Sequence, residues 1–310
     1  MDTSKNSIAG VQAIKTIFSD ARNQGRRPTS FEMFPPKGEL GVEDARAVAA
    51  ELSALNPDFI SVTCSAGGSS NGAEKAGAAG NRTVTVASII QDEFKTSAMA
   101  HLTCYNATEE SIFSAMDEMK SAGIVNVLAL RGDPIPGVEP ASFHYAKDLI
   151  PHLKDAGFCV GAAAYPEGHI SCTDPRANIL HLKQKQDAGA DFFVTQLFFD
   201  NNVFYRFWED AQAAGITIPI TCGIMPFMSK SQIQRMVFMC GASLPSPIIK
   251  LLARYENDEN ALMQAGIEYA NAQLTDLDAH GVDGLHIYAM NRPAIARAGM
   301  TALEVARCAR

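Results

Sequence analysis

Ser30-Phe31-Glu32-Met33-Phe34 is a short apolar run with a carboxylate at its centre, and its setting decides the fold. Seven further runs follow at roughly regular spacing: 59–63, 99–103, 127–133, 161–165, 192–196, 218–223 and 285–288. Helix-like segments separate them. Short buried strands alternating with helices predict a parallel sheet. Eight such units in 310 residues predict an α/β protein, a single (β/α)8 TIM barrel preceded by an extra N-terminal helix. Chemistry in such barrels sits at the C-terminal strand ends. Here those ends carry Glu32, Thr63, His101, Arg131, Asp133, Tyr165, Gln196 and Tyr288.

Composition narrows the classes. Hydrophobic residues are 47% and charged residues 19%, ordinary for a globular chain with a large core. A net charge of -8 argues against nucleic-acid binding by bulk electrostatics, while a few local cations suffice for a small anionic ligand. The seven cysteines form no C-x-x-C pair, so Cys64, Cys104, Cys159 and Cys222 read as buried free thiols of a reducing cytoplasm. The N-terminus carries no apolar signal segment, and no run approaches the ~18 residues of a membrane span.

Residues 7–24 predict an opening helix with Ser7 as its N-cap, lying as a lid over the bottom of the barrel. The connection from Cys64 to Asn81 is long and rich in Gly, Ser and Asn, as functional loops often are. Between the seventh and eighth strands, Pro245-Ser246-Pro247 opens a short helix. A second helix follows with Met263, Ile267, Ala270, Leu274 and Leu277 along one stripe. No linker or domain boundary is visible, so residues 1–310 read as one domain.

Neither G-x-G-x-x-G nor a Walker A sequence occurs, so a dinucleotide would have to be held by barrel loops. Glu32 is flanked by apolar side chains. Desolvation favours the neutral acid and suits general acid work, or else the residue is an ion-paired structural glutamate. Arg131-Gly132-Asp133 sets a guanidinium and a carboxylate at one strand end, either as a ligand site or as a local ion pair. His101 reads as a satisfied core residue, whereas His169 belongs to an exposed loop. Asn178, His181 and Lys185 share a helix face, solvated or turned to a ligand phosphate or adenosine. Gln196 offers a donor and an acceptor to a heterocycle edge, and Arg292 a partner for a substrate carboxylate. The histidines and carboxylates lack tight ligand spacing, so no metal is expected.

Taken together, these strand ends resemble the methylenetetrahydrofolate reductase family over essentially the whole span from Ser30 to Arg292. The similar segments, in the family's order, are Ser30–Lys37, Ser61-Val62-Thr63 with 66–69, His101–Cys104, Leu130–Pro134, Ala163–His169, Thr195–Asp200, Gly223–Pro226 and His286–Tyr288 with Asn291-Arg292. The resemblance implies reduction of 5,10-methylenetetrahydrofolate to 5-methyltetrahydrofolate by ping-pong hydride transfer through FAD, with NADH or NADPH as donor. It implies Glu32 as general acid and Asp133 between flavin and pterin as the catalytic pair. Thr63, Cys64, Ala66, His101, Arg131, Gly132, Asp133, Tyr145, Ala164, Tyr165, His169, Asn178, His181 and Lys185 would hold FAD. Glu32, Asp133, Gln196, Gln232, Tyr288 and Arg292 would hold folate and nicotinamide, Gln196 serving both in turn.

The chain departs from the family pattern at Met33, at Cys64-Ser65 where Tyr-Gly is usual, at His181 where Asn is common, and at Ala289-Met290. The resemblance implies a short form without the regulatory C-terminal domain, self-associating, binding neither nucleic acid nor membrane. The alternatives are electron delivery by a partner protein and a non-flavin barrel lyase; the latter wants a Schiff-base lysine, and no strand end carries one.

Overall fold

Eight strands close into an all-parallel barrel in simple sequence order, with β8 pairing back onto β1. The computed structural model describes residues 10–35, 41–64, 76–105, 107–133 and 142–310, with backbone only for 76–81. The strands are β1 Thr29–Met33, β2 Phe59–Val62, β3 Ser97–Thr103, β4 Asn126–Leu130, β5 Cys159–Ala164, β6 Phe192–Thr195, β7 Ile220–Ile224 and β8 Gly284–Tyr288. Each coincides with one of the eight apolar runs.

Strand alternation sorts every run into two faces. Phe31 and Met33 point outward with Ile60, Val62, Ala98, Ala100, Val127 and Ala129 into the layer beneath the helices. Ser30 and Glu32 take the opposite face and point into the barrel. The lower interior is apolar: Phe59, Met99, Leu128, Cys159, Phe192 and Val194 pack together. The upper interior is polar, built from Ser30, Glu32, Ser61, His101, His286 and Tyr288, with the Thr195 carbonyl accepting from Tyr288.

Helix α1, Ile14–Asn23, closes the bottom by burying Ile14, Ile17 and Phe18 against that plug. It starts seven residues after the expected cap, and Ser7 itself lies outside the described residues. Its first amides are satisfied by the barrel floor instead: Ile14 N–H donates to Asn126 Oδ1 at 2.8 Å and Gln12 N–H to Ser97 Oγ at 2.9 Å.

Among the described residues ten more helices follow: α2 Val42–Ser53, α3 Ala76–Asp92, α4 Glu109–Ser121, α5 Ala146–Asp155, α6 Pro175–Asp187, α7 Asn201–Ala213, α8 Lys230–Cys240, α9 Ser246–Arg254, α10 Glu259–His280 and α11 Pro293–Cys308. Two differ from the sequence reading. Helix α3 takes over the last residues of the expected 64–81 loop, of which 65–75 lie outside the described residues. Helix α8, capped by Ser229, stands where no helix was anticipated. On α10 the buried stripe runs through Leu262, Ala265, Gly266, Ala270, Leu274 and Leu277, while Met263 and Ile267 stay half-buried. Gly266 lets α10 pass directly over the Phe227 carbonyl, 1.8 Å from where a Cβ would sit. No helix among the described residues is long and apolar enough to cross a membrane.

Candidate active site

Register brings Glu32 level with Ser61 on β2 and Tyr288 on β8. Its Oε2 lies 3.8 Å from His101 Nε2 and 3.8 Å from His286 Nε2. His101 therefore points into the barrel, where Ser61 Oγ meets its Nε2 at 2.6 Å. Burial pushes His101 down to about 4, against the opposing pull of Glu32, so the ring is neutral near pH 7. Above this layer Tyr288 Oη donates to the Thr195 carbonyl at 2.7 Å. Gly223 permits that bond: a Cβ there would stand 2.5 Å from the Thr195 oxygen and 2.7 Å from the Tyr288 ring. Burial, then Glu32, holds the Tyr288 hydroxyl well above its ordinary range, so it stays protonated.

Beside this layer opens a cavity of about 450 Å³ between the ends of β4 and β5 and the helices α5 and α6. Arg131, Tyr145, Tyr165, His169, Asn178, His181 and Lys185 all line it. The face of α6 is thus not simply solvated. Asn178 is buried and its Nδ2 donates to the Tyr165 carbonyl at 2.9 Å, which fixes the β5 end. Lys185 Nζ donates to the Ala163 carbonyl at 2.8 Å and lies 5.2 Å from the Tyr165 ring centre. Burial and then Arg131 push Lys185 down to about 8. His181, by contrast, is exposed at the rim, as is Tyr145 at the start of α5.

Arg131 does not form the local pair with Asp133. Its Nη2 lies 3.5 Å from His169 Nε2, and its guanidinium 6.0 Å from the Tyr105 ring. Among the described residues neither Arg131 nor Lys185 has a carboxylate partner. His169 Nδ1 accepts from the Ser171 backbone N–H at 3.1 Å, which leaves Nε2 as the protonated nitrogen of the neutral ring. Burial, then Arg131 and Lys185, hold His169 below its ordinary value. Burial pushes Tyr165 up to about 12. Asp133 is exposed at the β4 end, and its charge reaches Tyr165, His169 and Cys240. Gly132, at φ +84°, packs against Thr103, 3.1 Å from where a Cβ would sit, so that turn has no room for a side chain.

The remaining candidates distribute as follows. Thr63 is buried at the β2 end, its N–H donating to the Met33 carbonyl at 3.1 Å. Cys64 Sγ is 3.8 Å from Thr103 Oγ1, and burial raises the thiol, so it is no thiolate. The Ala164 side chain faces the helices; only its backbone serves the rim, accepting from Gln196 N–H at 2.7 Å. Gln196 Oε1 accepts from Leu197 N–H at 2.9 Å. Gln232, on the unanticipated α8, meets Arg292 across two sulfurs: Gln232 Nε2 is 3.0 Å from Met290 Sδ, and Arg292 Nη1 is 3.3 Å from Met228 Sδ. Ala66 lies outside the described residues.

Sequence reasoning passed over three contributors. Ser30 and His286 complete the polar layer, Ser30 Oγ meeting His286 Nδ1 at 2.7 Å. The alternation Ser30–Glu32 and His286–Tyr288 carries that signal. Asn291 clamps β1 to the β8 loop: Phe34 N–H donates to its Oδ1 at 2.7 Å, and its Nδ2 donates to the Phe34 carbonyl at 3.0 Å. Met290 and Asn291 hold φ of 52° and 54°, a left-handed pair of non-glycine residues beside the site.

Residues 17–303 match the family model described as methylenetetrahydrofolate reductase. The chain is 35% identical over 298 residues to methylenetetrahydrofolate reductase (NADH) 1 of Arabidopsis thaliana, covering 91% of this chain and 48% of that protein. It thus spans about half the length of the plant relatives it matches. It is 34% identical to the 5,10-methylenetetrahydrofolate reductase of Pectobacterium carotovorum, with 88% of each chain covered. The Escherichia coli protein of that name is 33% identical, with 88% of this chain and 89% of that one covered. Among solved structures, an uncharacterised Clostridium thermocellum protein that binds two copies of 5-methyl-5,6,7,8-tetrahydrofolic acid shares the fold. Its TM-score is 0.63 at 16% identity, over 94% of this chain and 99% of that one. A family model matched over residues 17–303, with relatives 33–35% identical over most of this chain, means that this chain belongs to the methylenetetrahydrofolate reductase family.

Proposed function

We propose that this chain, as one FAD-binding catalytic domain over 1–310, reduces 5,10-methylenetetrahydrofolate to 5-methyltetrahydrofolate with a reduced nicotinamide as donor. The observation that carries the reading is the setting of Glu32. It is a carboxyl group inside the barrel with neutral His101 beside it, and a cation-lined cavity opens at the ends of β4 and β5 of the same barrel.

The residues present fit FAD. The cavity is within the roughly 300–1,000 Å³ of ordinary ligand pockets. Arg131 and Lys185 face it without carboxylate partners, so an anionic diphosphate would complete them. Thr63, Cys64, His101, Gly132, Asp133, Tyr145, Ala164, Tyr165, His169, Asn178 and His181 complete the proposed binding set, with Ala66 from the sequence resemblance. FAD bound there supplies a hydride relay between a reduced nicotinamide and the folate.

The chain's own residues do the rest. Glu32 would donate a proton to the bridge nitrogen of the folate. His101, neutral near pH 7, is not the acid. Asp133, exposed at the β4 end, would face the pterin, and its charge reaches Tyr165 and His169. Gln196 presents an amide at the β6 end, suited to the edges of folate and nicotinamide in turn. Gln232, Tyr288 and Arg292 border the substrate side. A cytoplasmic homo-oligomer without nucleic-acid or membrane partners accords with the acidic composition.

The test begins with FAD titration followed by thermal unfolding, since a ligand bound to the native state raises Tm. Anaerobic reduction of the bound flavin by NADH, NADPH and reduced ferredoxin then runs in parallel, followed by reoxidation with 5,10-methylenetetrahydrofolate. Bleaching by a nicotinamide and recovery with folate are expected. A Tm indifferent to FAD would sink the reading, and bleaching by ferredoxin alone would move the donor to a partner protein.

A further inference from the structure

His286 is fully buried at the heart of the polar layer, and nothing above gives it a role. Its contact with Ser30 ties its tautomer to where the Ser30 proton goes. Ser30 Oγ donates to the Leu285 carbonyl at 3.2 Å. With the hydroxyl proton on the Leu285 carbonyl, the same oxygen accepts toward His286, and the 2.7 Å contact then runs from Nδ1–H to Ser30 Oγ. The neutral ring then carries a lone pair at Nε2. That nitrogen is buried without a hydrogen-bond partner, and Glu32 Oε2 stands 3.8 Å away. A buried ring nitrogen without a partner calls for an explanation, and the Glu32 carboxyl group is the group within reach.

The other groups around the pair offer no substitute. His101 Nε2, at the same distance from Glu32, is already engaged by Ser61 Oγ. Tyr288 sets its ring edge-on to His286 at 5.1 Å, and its hydroxyl is committed to the Thr195 carbonyl. Phe59 stacks on His286 at 6.3 Å and 19°, holding the ring plane.

We propose that His286 is a positioning residue for the acid step. Its Nε2 lone pair receives the Glu32 carboxyl O–H between turnovers and holds the acid loaded, with Ser30 fixing the tautomer that makes this possible. The role rests on the functional reading above. A short rotation of the Glu32 side chain brings the two atoms into hydrogen-bond range. When folate enters, the same O–H turns to the bridge nitrogen. An Nε2–H tautomer would instead favour the carboxylate and leave Glu32 without a proton to give.

The first test needs neither flavin nor folate. Nitrogen-15 histidine spectra of the apoprotein at pH 7 report each ring's tautomer. Of the seven histidines, His280 should show Nδ1–H because its Nδ1 donates to the Asp276 carbonyl; a second Nδ1–H ring should appear, and its signals should vanish in His286→Gln. An Nε2–H tautomer or an imidazolium at that position overturns the proposal. Ser30→Ala, which only removes a hydroxyl, should release His286 to the Nε2–H form. Its folate half-reaction should slow by about tenfold, part of the ~10²–10⁴ that general acid catalysis is worth. The alkaline limb of that half-reaction should move to lower pH, while flavin reduction by the nicotinamide is unchanged. A switched tautomer with an unmoved pH profile also overturns the proposal. If the wild-type protein shows no folate half-reaction, the functional reading fails and the acid role falls with it, whereas the spectra still decide the tautomer.

Discussion

The lower and upper halves of the barrel interior are made by the same strands and do opposite work. Below, Phe59, Met99, Leu128, Phe192 and Val194 meet Ile14, Ile17 and Phe18 of α1 in a dry plug. Two residues further along β2 and β3, Ser61 and His101 take the places of Phe59 and Met99, joined by Ser30, Glu32 and His286. Each large side chain in the plug stabilises by roughly 1.5–3 kcal/mol through area removed from water. The polar layer is an assembly of desolvated groups, one of them unpartnered. Such a layer is costly to bury, and it persists because the plug beneath fixes its backbone. Stability and chemistry are thus separated by one turn of strand alternation, so substitutions in the two halves should fail differently.

The largest effect belongs to the upper half. Glu32→Gln keeps the shape and removes the proton. The folate half-reaction should fall by ~10²–10⁴, the usual worth of a general acid, while flavin reduction by the nicotinamide stays nearly intact. Stopped-flow flavin absorbance separates the two. Equal loss in both would make Glu32 structural and erase the contrast between the halves.

Phe192→Ala attacks the plug. The ring fills the space over Gly161, where a Cβ would come within 2.6 Å of it, and it packs on Phe18 at 5.6 Å. Truncation should cost about 3–5 kcal/mol in urea unfolding, as deletion of a buried aromatic ring generally does. Both half-reactions should survive where the protein remains folded. A loss below ~1 kcal/mol would mean that α1 and the lower barrel are not one packed unit.

The smallest effect lies where the two halves join. His101 is held at about 4 by burial, below its ordinary 6.5. Between those values the unfolded chain binds more protons than the folded one, so stability rises with pH. The contribution is complete above about 6.5 and is lost as pH falls toward 4, on the order of 3 kcal/mol in all. His101→Phe should flatten the stability profile across that window. An unchanged slope in the variant would assign the acid sensitivity to other groups.

The eight strands were legible because each is an apolar run with a polar end, and alternation alone sends Glu32 inward once Phe31 and Met33 face the helices. The cluster around the cavity was legible mainly as a resemblance, since Arg131, His169, Asn178 and Lys185 are far apart in the chain and meet only through β4, β5 and α6. The local reading of Arg131-Gly132-Asp133 left an ion pair open. The turn at Gly132, with φ +84°, instead leaves Arg131 beside His169. Helix α8 was missed because its run from Lys230 to Cys240 buries only Ile233, too little for a periodic stripe to be seen.

What the sequence determined by itself is everything that follows from period: strand count, parallel order, the inward carboxylate, and the family motifs at strand ends. What only the tertiary structure decided is everything that depends on partners distant in the chain. Helix α1 begins at Ile14 because the Asn126 amide, 112 residues away, takes its first N–H. His286 Nδ1 finds its partner in Ser30 Oγ, 256 residues away. Hydrogen bonds are directional and short-ranged, so which donor meets which acceptor is fixed only when the barrel closes and brings its first and last strands side by side.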